Sequence, residues 1–232
     1  MIRLYEHNHF GQKVLNDIFY SNQSGELNRQ ILFQIVRFTD AFDLDCKEHT
    51  FGHSVRVMHY AVQLAGYLHF DPKTQRAIMN GARFHDIGKI GIPPAILLKK
   101  EALSYPEYQL IKRHPEIGGD ILRHFPEFHT AIKGVLYHHE RFDGSGYPYG
   151  LKGDEIPIEA QIIALSDTFD ALTVNRPYRK ALSPELAIEI LRHQTKSGKW
   201  NPYLYAFFEK TIRMTVRTSL PKSFREKEMP SS

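Results

Sequence analysis

Cysteine is almost missing from these 232 residues. Cys46 stands alone, so no disulfide can close within the chain and no thiolate cluster can hold a metal. That usage fits a reducing, cytoplasmic setting, and any metal site must be built from His, Asp and Glu. Long apolar runs are missing too; none approaches the ~20 residues of a bilayer-spanning helix, which argues against a membrane anchor. The opening Met1-Ile2-Arg3-Leu4-Tyr5-Glu6-His7 lacks the basic-then-apolar order of a secretory signal. Neither sign of charge dominates, with 30 Lys and Arg against 26 Asp and Glu. Part of the small surplus (Arg213, Arg217, Lys222, Arg225, Lys227) falls near the C-terminus, so a nucleic-acid polymer is not indicated as a partner. Sustained period-two alternation is also absent, and the chain reads as all-α.

What it does have is helical spacing of apolar residues and 13 histidines. Val14, Leu15, Ile18 and Phe19, then Leu27, Ile31, Leu32, Ile35 and Val36, predict a short helical leader over 1–45. Its helices would pad the core or form a dimer face. The main unit is expected over 46–216, and a basic, frayed tail over 217–232. Within the main unit a helix is predicted from about Cys46 to Leu68. Asp71-Pro72, Ser104-Tyr105-Pro106-Glu107, Ser183-Pro184 and Asn201-Pro202 each combine a capping side chain with an early proline and open further helices. One helix should end near His114-Pro115; others should cover 115–124 and 127 to 138 or 139. A glycine-rich loop follows over 140–157, then a helix over 158–173.

The chain is organised around Arg83-Phe84-His85-Asp86-Ile87-Gly88-Lys89-Ile90-Gly91. An adjacent imidazole and carboxylate suit a borderline divalent metal, and the second carboxylate oxygen is available to a second metal. Gly88 reads as a sharp turn that brings the Lys89 cation beside the pair. The rest of the chain supplies partners. His49 and His53 are four apart, on one face of the predicted helix. His114 sits at a helix junction, and His138 and His139 at a helix end. Asp167 interrupts an apolar helix, where a carboxylate needs a compensating cation. Taken singly, each has an ordinary structural reading: His53 a core histidine, His114 a helix C-terminal cation, His138 and His139 a solvated pair, Asp167 the partner of an arginine. Jointly, His and carboxylate side chains converging from several helices match the way bundle-core metal sites are made. His7, His9, His59, His69, His124, His129 and His193 have no such company.

The ordered motifs resemble the HD-GYP branch of the HD metal-dependent phosphohydrolases. They are His53-Ser54-x-Arg56-Val57, Phe84-His85-Asp86-Ile87-Gly88-Lys89-Ile90-Gly91-Ile92-Pro93, His114-Pro115-x-x-Gly118, His138-His139-Glu140-Arg141-x-Asp143-Gly144-x-Gly146-Tyr147-Pro148, Asp167-x-Phe169-Asp170-Ala171 and Arg176-Pro177-Tyr178-Arg179. The resemblance spans roughly Cys46 to Phe208. It implies an HD-domain helical bundle with a metal site in its core. It also implies hydrolysis of cyclic di-GMP to linear pGpG, and often on to GMP.

Carried over residue by residue, the resemblance makes His53, His85, Asp86, His114, His138, His139 and Asp167 the metal ligands, with Asp86 bridging two divalent ions, iron or manganese. Members with a third metal have a glutamate where this chain has His49, so two metals are expected and a third is less favoured. Lys89 could reach the scissile phosphate, giving it catalytic and substrate-binding roles beside Asp86. Arg176 and Arg179 fall where the family has phosphate-binding cations; their ordinary reading is surface charge. Tyr147 borders the substrate site, and its Gly-Tyr-Pro loop is linked in the family to partner recognition, here a diguanylate cyclase or an adaptor protein. Two alternatives stand beside cyclic di-GMP hydrolysis. One keeps the metals and changes the substrate to cyclic GMP-AMP or a nucleotide phosphate ester. The other is a weakly active cyclic di-GMP receptor or partner-binding module.

Overall fold

The computed structural model describes residues 25–42, 52–175 and 179–219. The helices are α1 (Gly25–Phe42), α2 (His53–Tyr67), α3 (Pro72–Phe84), α4 (Pro94–Leu97), α5 (Tyr105–Ile111), α6 (His114–Arg123), α7 (Ile132–Tyr137), α8 (Ile158–Thr173), α9 (Pro184–Lys196) and α10 (Pro202–Ser219). Short 3-10 turns cover Ile87–Gly91, Pro126–Ala131 and Gly153–Glu155. No strand ladder occurs among the described residues, and the all-α expectation holds.

The predicted caps start helices where their chemistry says they should. The Asp71 carboxylate accepts from the backbone N–H groups of Lys73 and Thr74, satisfying two donors that α3 cannot pair itself. Glu107 reaches back to the Ser104 N–H at 2.7 Å and opens α5. The Ser183 hydroxyl accepts from Leu186 N–H at the start of α9.

Several expected boundaries move. The helix predicted from about Cys46 starts only at His53, because Gly52 is extended (φ −61°, ψ 163°). His53 is thus the first residue of this helix, and His49 lies outside the described residues. The helix expected to end near His114 stops at Ile111, and His114 instead opens α6, so it is not a helix C-terminal cation. The helix expected from 127 starts as the 3-10 turn Pro126–Ala131. At the other end, α10 runs to Ser219, past the expected start of the tail. The predicted helix around Val14–Phe19, the segment holding Cys46 and His49, and residues 220–232 lie outside the described residues.

Two apolar clusters build the interior. One joins Val57, Ala61 and Leu64 of α2 to Ile78 and Ala82 of α3, Ile162, Ile163 and Phe169 of α8, Leu191 of α9 and Phe208 of α10. The other joins Leu32, Ile35 and Val36 of α1 to Phe84, Ile87, Ile90, Ile121 and Val135. The leader helix α1 thus packs into the core beside the His-Asp turn. Each fully buried Leu, Ile or Phe adds about 1.5–3 kcal/mol, so both clusters hold their helices firmly. Helix α3 serves both, and its C-terminal end carries His85 and Asp86 into the seam between them.

Candidate metal centre

The seam collects imidazoles from four places. His53 is the first residue of α2, His85 caps α3, His114 is the first residue of α6, and His138 caps α7. All four are buried. Three of them use the same local device. The Nδ1 atoms of His85, His114 and His138 lie 2.8, 2.7 and 2.7 Å from the carbonyl oxygens of Ala82, Ile111 and Val135, each three residues earlier. A carbonyl only accepts, so each Nδ1 carries the proton and donates it, leaving Nε2 as the lone-pair nitrogen. His53 Nδ1 instead donates to Asp170 Oδ2 at 2.8 Å.

All four Nε2 atoms therefore face one another. His53 Nε2 is 3.2 Å from His85 Nε2, and His114 Nε2 is 3.3 Å from His138 Nε2. Lone pairs at that separation repel unless a proton or a metal cation lies between them. Asp86 sits between the two pairs. Its Oδ1 is 3.2 Å from His114 Nε2, and its Oδ2 is 3.4 Å from His85 Nε2 and 3.8 Å from His53 Nε2. Asp167, from α8, lies 3.2 Å from His53 Nε2 and 3.9 Å from His85 Nε2. The ligating atoms of His53, His85 and Asp86 lie within 4.8 Å of one another, as do those of Asp86, His114, His138 and His139. Six of the seven residues expected as ligands therefore fall in two sets that share the Asp86 carboxylate, and the seventh, Asp167, lies beside the His53 and His85 pair. A nitrogen and oxygen donor set of this kind fits borderline divalent metals.

The electrostatics suit a cation. Burial opposes charge on Asp86 and Asp167, but for Asp86 the Lys89 cation with the His85 and His114 imidazoles, and for Asp167 the His53 imidazole, outweigh it. Both carboxyls titrate well below the usual range. Burial, reinforced by neighbouring imidazoles, pushes His138 and His139 well below the usual histidine value, so they stay neutral and able to ligate. His85 moves up instead, because the Asp86 carboxylate outweighs the effect of burial.

Lys89 follows one 3-10 turn after Asp86, and its Nζ is 2.7 Å from Asp86 Oδ2. Tyr147 stacks on His139, with ring centroids 4.6 Å apart and planes at 23°. Its phenol is pushed up by burial, then by Tyr108 and the nearby carboxylates, and stays a neutral O–H donor. The loop that carries Tyr147 is tied down from within. Glu140 is buried, and its carboxylate accepts from Tyr149 N–H at 2.8 Å and Leu151 N–H at 3.0 Å. Arg179 is placed at the C-terminal end of α8, where Nη2 donates to the Ala171 carbonyl. Arg176 and His49 lie outside the described residues. Of the histidines set aside, His59, His69, His124, His129 and His193 are exposed, and His7 and His9 lie outside the described residues.

Asp170 and Arg56 belong to this arrangement, although neither was among the expected site residues. Arg56 grips Asp170 with two parallel bonds, Nε to Oδ1 at 2.7 Å and Nη2 to Oδ2 at 2.9 Å. Asp170 in turn holds the His53 ring. The signal in the sequence was a second acid one helical turn after Asp167 on an apolar helix. Asp170→Asn is expected to weaken divalent-metal binding about 10- to 100-fold while the fold survives. Chelator-competition titration measures this, and wild-type affinity in the variant would remove Asp170 from the role.

The HD domain family profile matches residues 44–204. The chain belongs to the HD domain family. Among curated relatives, it is 38% identical over 175 residues to the cyclic di-GMP phosphodiesterase response regulator RpfG of Xanthomonas campestris, covering 75% of this chain and 45% of that protein. It is 31% identical over 222 residues to 3'3'-cGAMP-specific phosphodiesterase 1 of Vibrio cholerae, covering 94% of this chain and 51% of that protein. The chain thus spans about half the length of these relatives. Among solved structures it resembles Bd1817, an HDG"Y"P protein from Bdellovibrio bacteriovorus, with a TM-score of 0.60 at 20% identity, over 88% of this chain and 70% of that one. That likeness concerns the fold. No described helix is long and apolar enough to cross a membrane.

Proposed function

We propose that this chain hydrolyses a phosphodiester bond of a cyclic dinucleotide, cyclic di-GMP foremost, to linear pGpG and, by a second cut, to GMP. The observation that carries this reading is the Asp86 carboxylate, which turns one oxygen towards each of two histidine sets. His53, His85, Asp86 and Asp167 would hold one divalent ion, and Asp86, His114, His138 and His139 the other, iron or manganese in each. When bound, such ions polarise phosphoryl oxygens and lower the pKa of water enough to supply a nucleophile at neutral pH.

The chain's own residues do the rest. Asp170 and the three backbone carbonyls hold the imidazoles in the ligating tautomer, so no reorganisation is needed at the moment of reaction. Lys89 Nζ, next to Asp86, neutralises charge on the phosphoryl oxygens and can give a proton to the leaving 3'-oxygen. Arg176 and Arg179 would bind phosphate oxygens from beyond α8, and Tyr147 offers a flat face and a hydroxyl. The catalytic unit would span 46–216, with α1 packed onto it, in a protein that would be cytoplasmic and able to dimerise. The Gly-Tyr-Pro loop would receive a diguanylate cyclase or an adaptor.

Cyclic GMP-AMP is the second reading, favoured by three relatives, 31–34% identical, that are named 3'3'-cGAMP-specific phosphodiesterases. One experiment separates the two. The full chain is purified anaerobically, analysed for metal, and loaded with iron or manganese. It is then given cyclic di-GMP, cyclic GMP-AMP and cyclic di-AMP. Two metals per chain and release of pGpG, abolished by chelator, are expected. Cleavage confined to cyclic GMP-AMP would transfer the assignment. A third equivalent of metal would implicate His49.

A further inference from the structure

Helix α5 ends at Ile111, and Lys112 turns the chain towards His114. The Lys112 ammonium lies over two phenol rings, 4.9 Å from the centroid of Tyr108 and 5.3 Å from that of Tyr147. Tyr147 rests on His139, and the His139 ring is 4.9 Å from the His114 ring. A continuous row of side chains therefore leads from Lys112 to the metal centre. Its surroundings differ from those of the other lysines nearby. Lys89 and Lys99 each pair with a carboxylate at 2.7 Å, with Asp86 and Glu107 respectively. Lys112 is half-buried and has no carboxylate partner among the described residues. An ammonium held by aromatic faces rather than by an acid keeps its charge for an incoming anion.

A cyclic dinucleotide carries two phosphodiesters in one ring. When one lies at Asp86 and Lys89, the other is held across the macrocycle and needs its own counter-charge. Resting on the substrate reading above, we propose that Lys112 is a substrate-positioning residue that binds the second, uncut phosphate beside Tyr147. Arg179 follows α8 and donates to the Ala171 carbonyl, whereas Lys112 lies at the α5–α6 junction, so the two cations belong to different parts of the fold. The role is one of specificity: it distinguishes a two-phosphate ring from an ester with a single phosphate.

The test compares wild type with Lys112→Met, which keeps the aliphatic stem against the tyrosines and removes only the charge. Both are loaded with metal and assayed on cyclic di-GMP, cyclic GMP-AMP and bis(p-nitrophenyl) phosphate, which has one phosphate. For the cyclic dinucleotide that wild type cleaves, KM should rise about tenfold, the size of one charge-assisted contact, with kcat changed by less than about threefold. Loss on the one-phosphate ester should be far smaller. Lys112→Arg should recover most of the KM. Lys112→Gln gives the same readout should the methionine variant fail to fold. An unchanged KM in a wild type that cleaves cyclic dinucleotides would overturn the role of Lys112 alone. Equal losses on all substrates would also overturn it, because the residue would then act through the metal centre. A wild type that cleaves the one-phosphate ester but neither binds nor cleaves any cyclic dinucleotide would overturn the substrate reading and this inference together.

Discussion

Asp86→Ala is expected to lower hydrolysis of cyclic di-GMP by on the order of a thousandfold or more and to strip metal from the protein while leaving it folded. Asp86 is the one group common to both ligand sets. Its Oδ1 faces His114, and its Oδ2 faces His85 and Lys89. Truncation removes a buried negative charge from a place where two dications would repel each other, and it disconnects the two halves of the centre. The imidazoles remain where their backbone carbonyls hold them, so the folded state should survive. The loss is one of charge and linkage rather than of packing. Metal analysis together with turnover on the same sample measures both effects. A variant that retains two metals and a tenth or more of the activity would show that Asp86 does not bridge.

Gly88→Ala is expected to cost roughly 2–4 kcal/mol of stability and much of the bound metal, although it adds only a methyl group. The chain does turn at Gly88 and sets Lys89 beside Asp86, but Gly88 does not have a positive φ, so the turn itself does not require glycine. What it provides is space. A Cβ there would stand 1.9 Å from the His114 carbonyl oxygen and 2.5 Å from the Gly118 nitrogen, both backbone atoms that cannot swing aside. The turn holding Asp86 and Lys89 is pressed against the first turn of α6, and this contact brings His114 to Asp86. Forcing the two apart would unpack the second apolar cluster and spoil the centre at once. Denaturant midpoints and metal content check it. Gly66, in α2, is the control: nothing lies within 4 Å of a Cβ there, and alanine should stabilise the helix by up to about 1 kcal/mol. Equal stability of Gly88→Ala and wild type would mean that α6 can shift freely.

Much of this molecule could be read from local chemistry. The apolar spacing over 158–173 marks α8 with its observed bounds, and Asp71, Ser104 and Ser183 start their helices as capping side chains should. Each of those decisions is made among neighbours a few positions apart, so the residue order contains it. The candidate ligands were also legible, because His and Asp on helix faces and ends stand out against an apolar background.

Other features come from atoms that are distant in the chain. The His53–Asp170 and Arg56–Asp170 bonds join residues 117 and 114 positions apart, and no local pattern encodes them. The imidazole tautomers, the position of Asp86 between two sets, the need for glycine at 88 and the aromatic seat of Lys112 are of the same kind. Spacing and caps determined which helices form and which of them carry the ligating side chains. Packing of those helices decided which nitrogen of each ring faces inward and which charges meet, because hydrogen bonding and Coulomb attraction depend on separations of a few ångströms that exist only once the chain has folded.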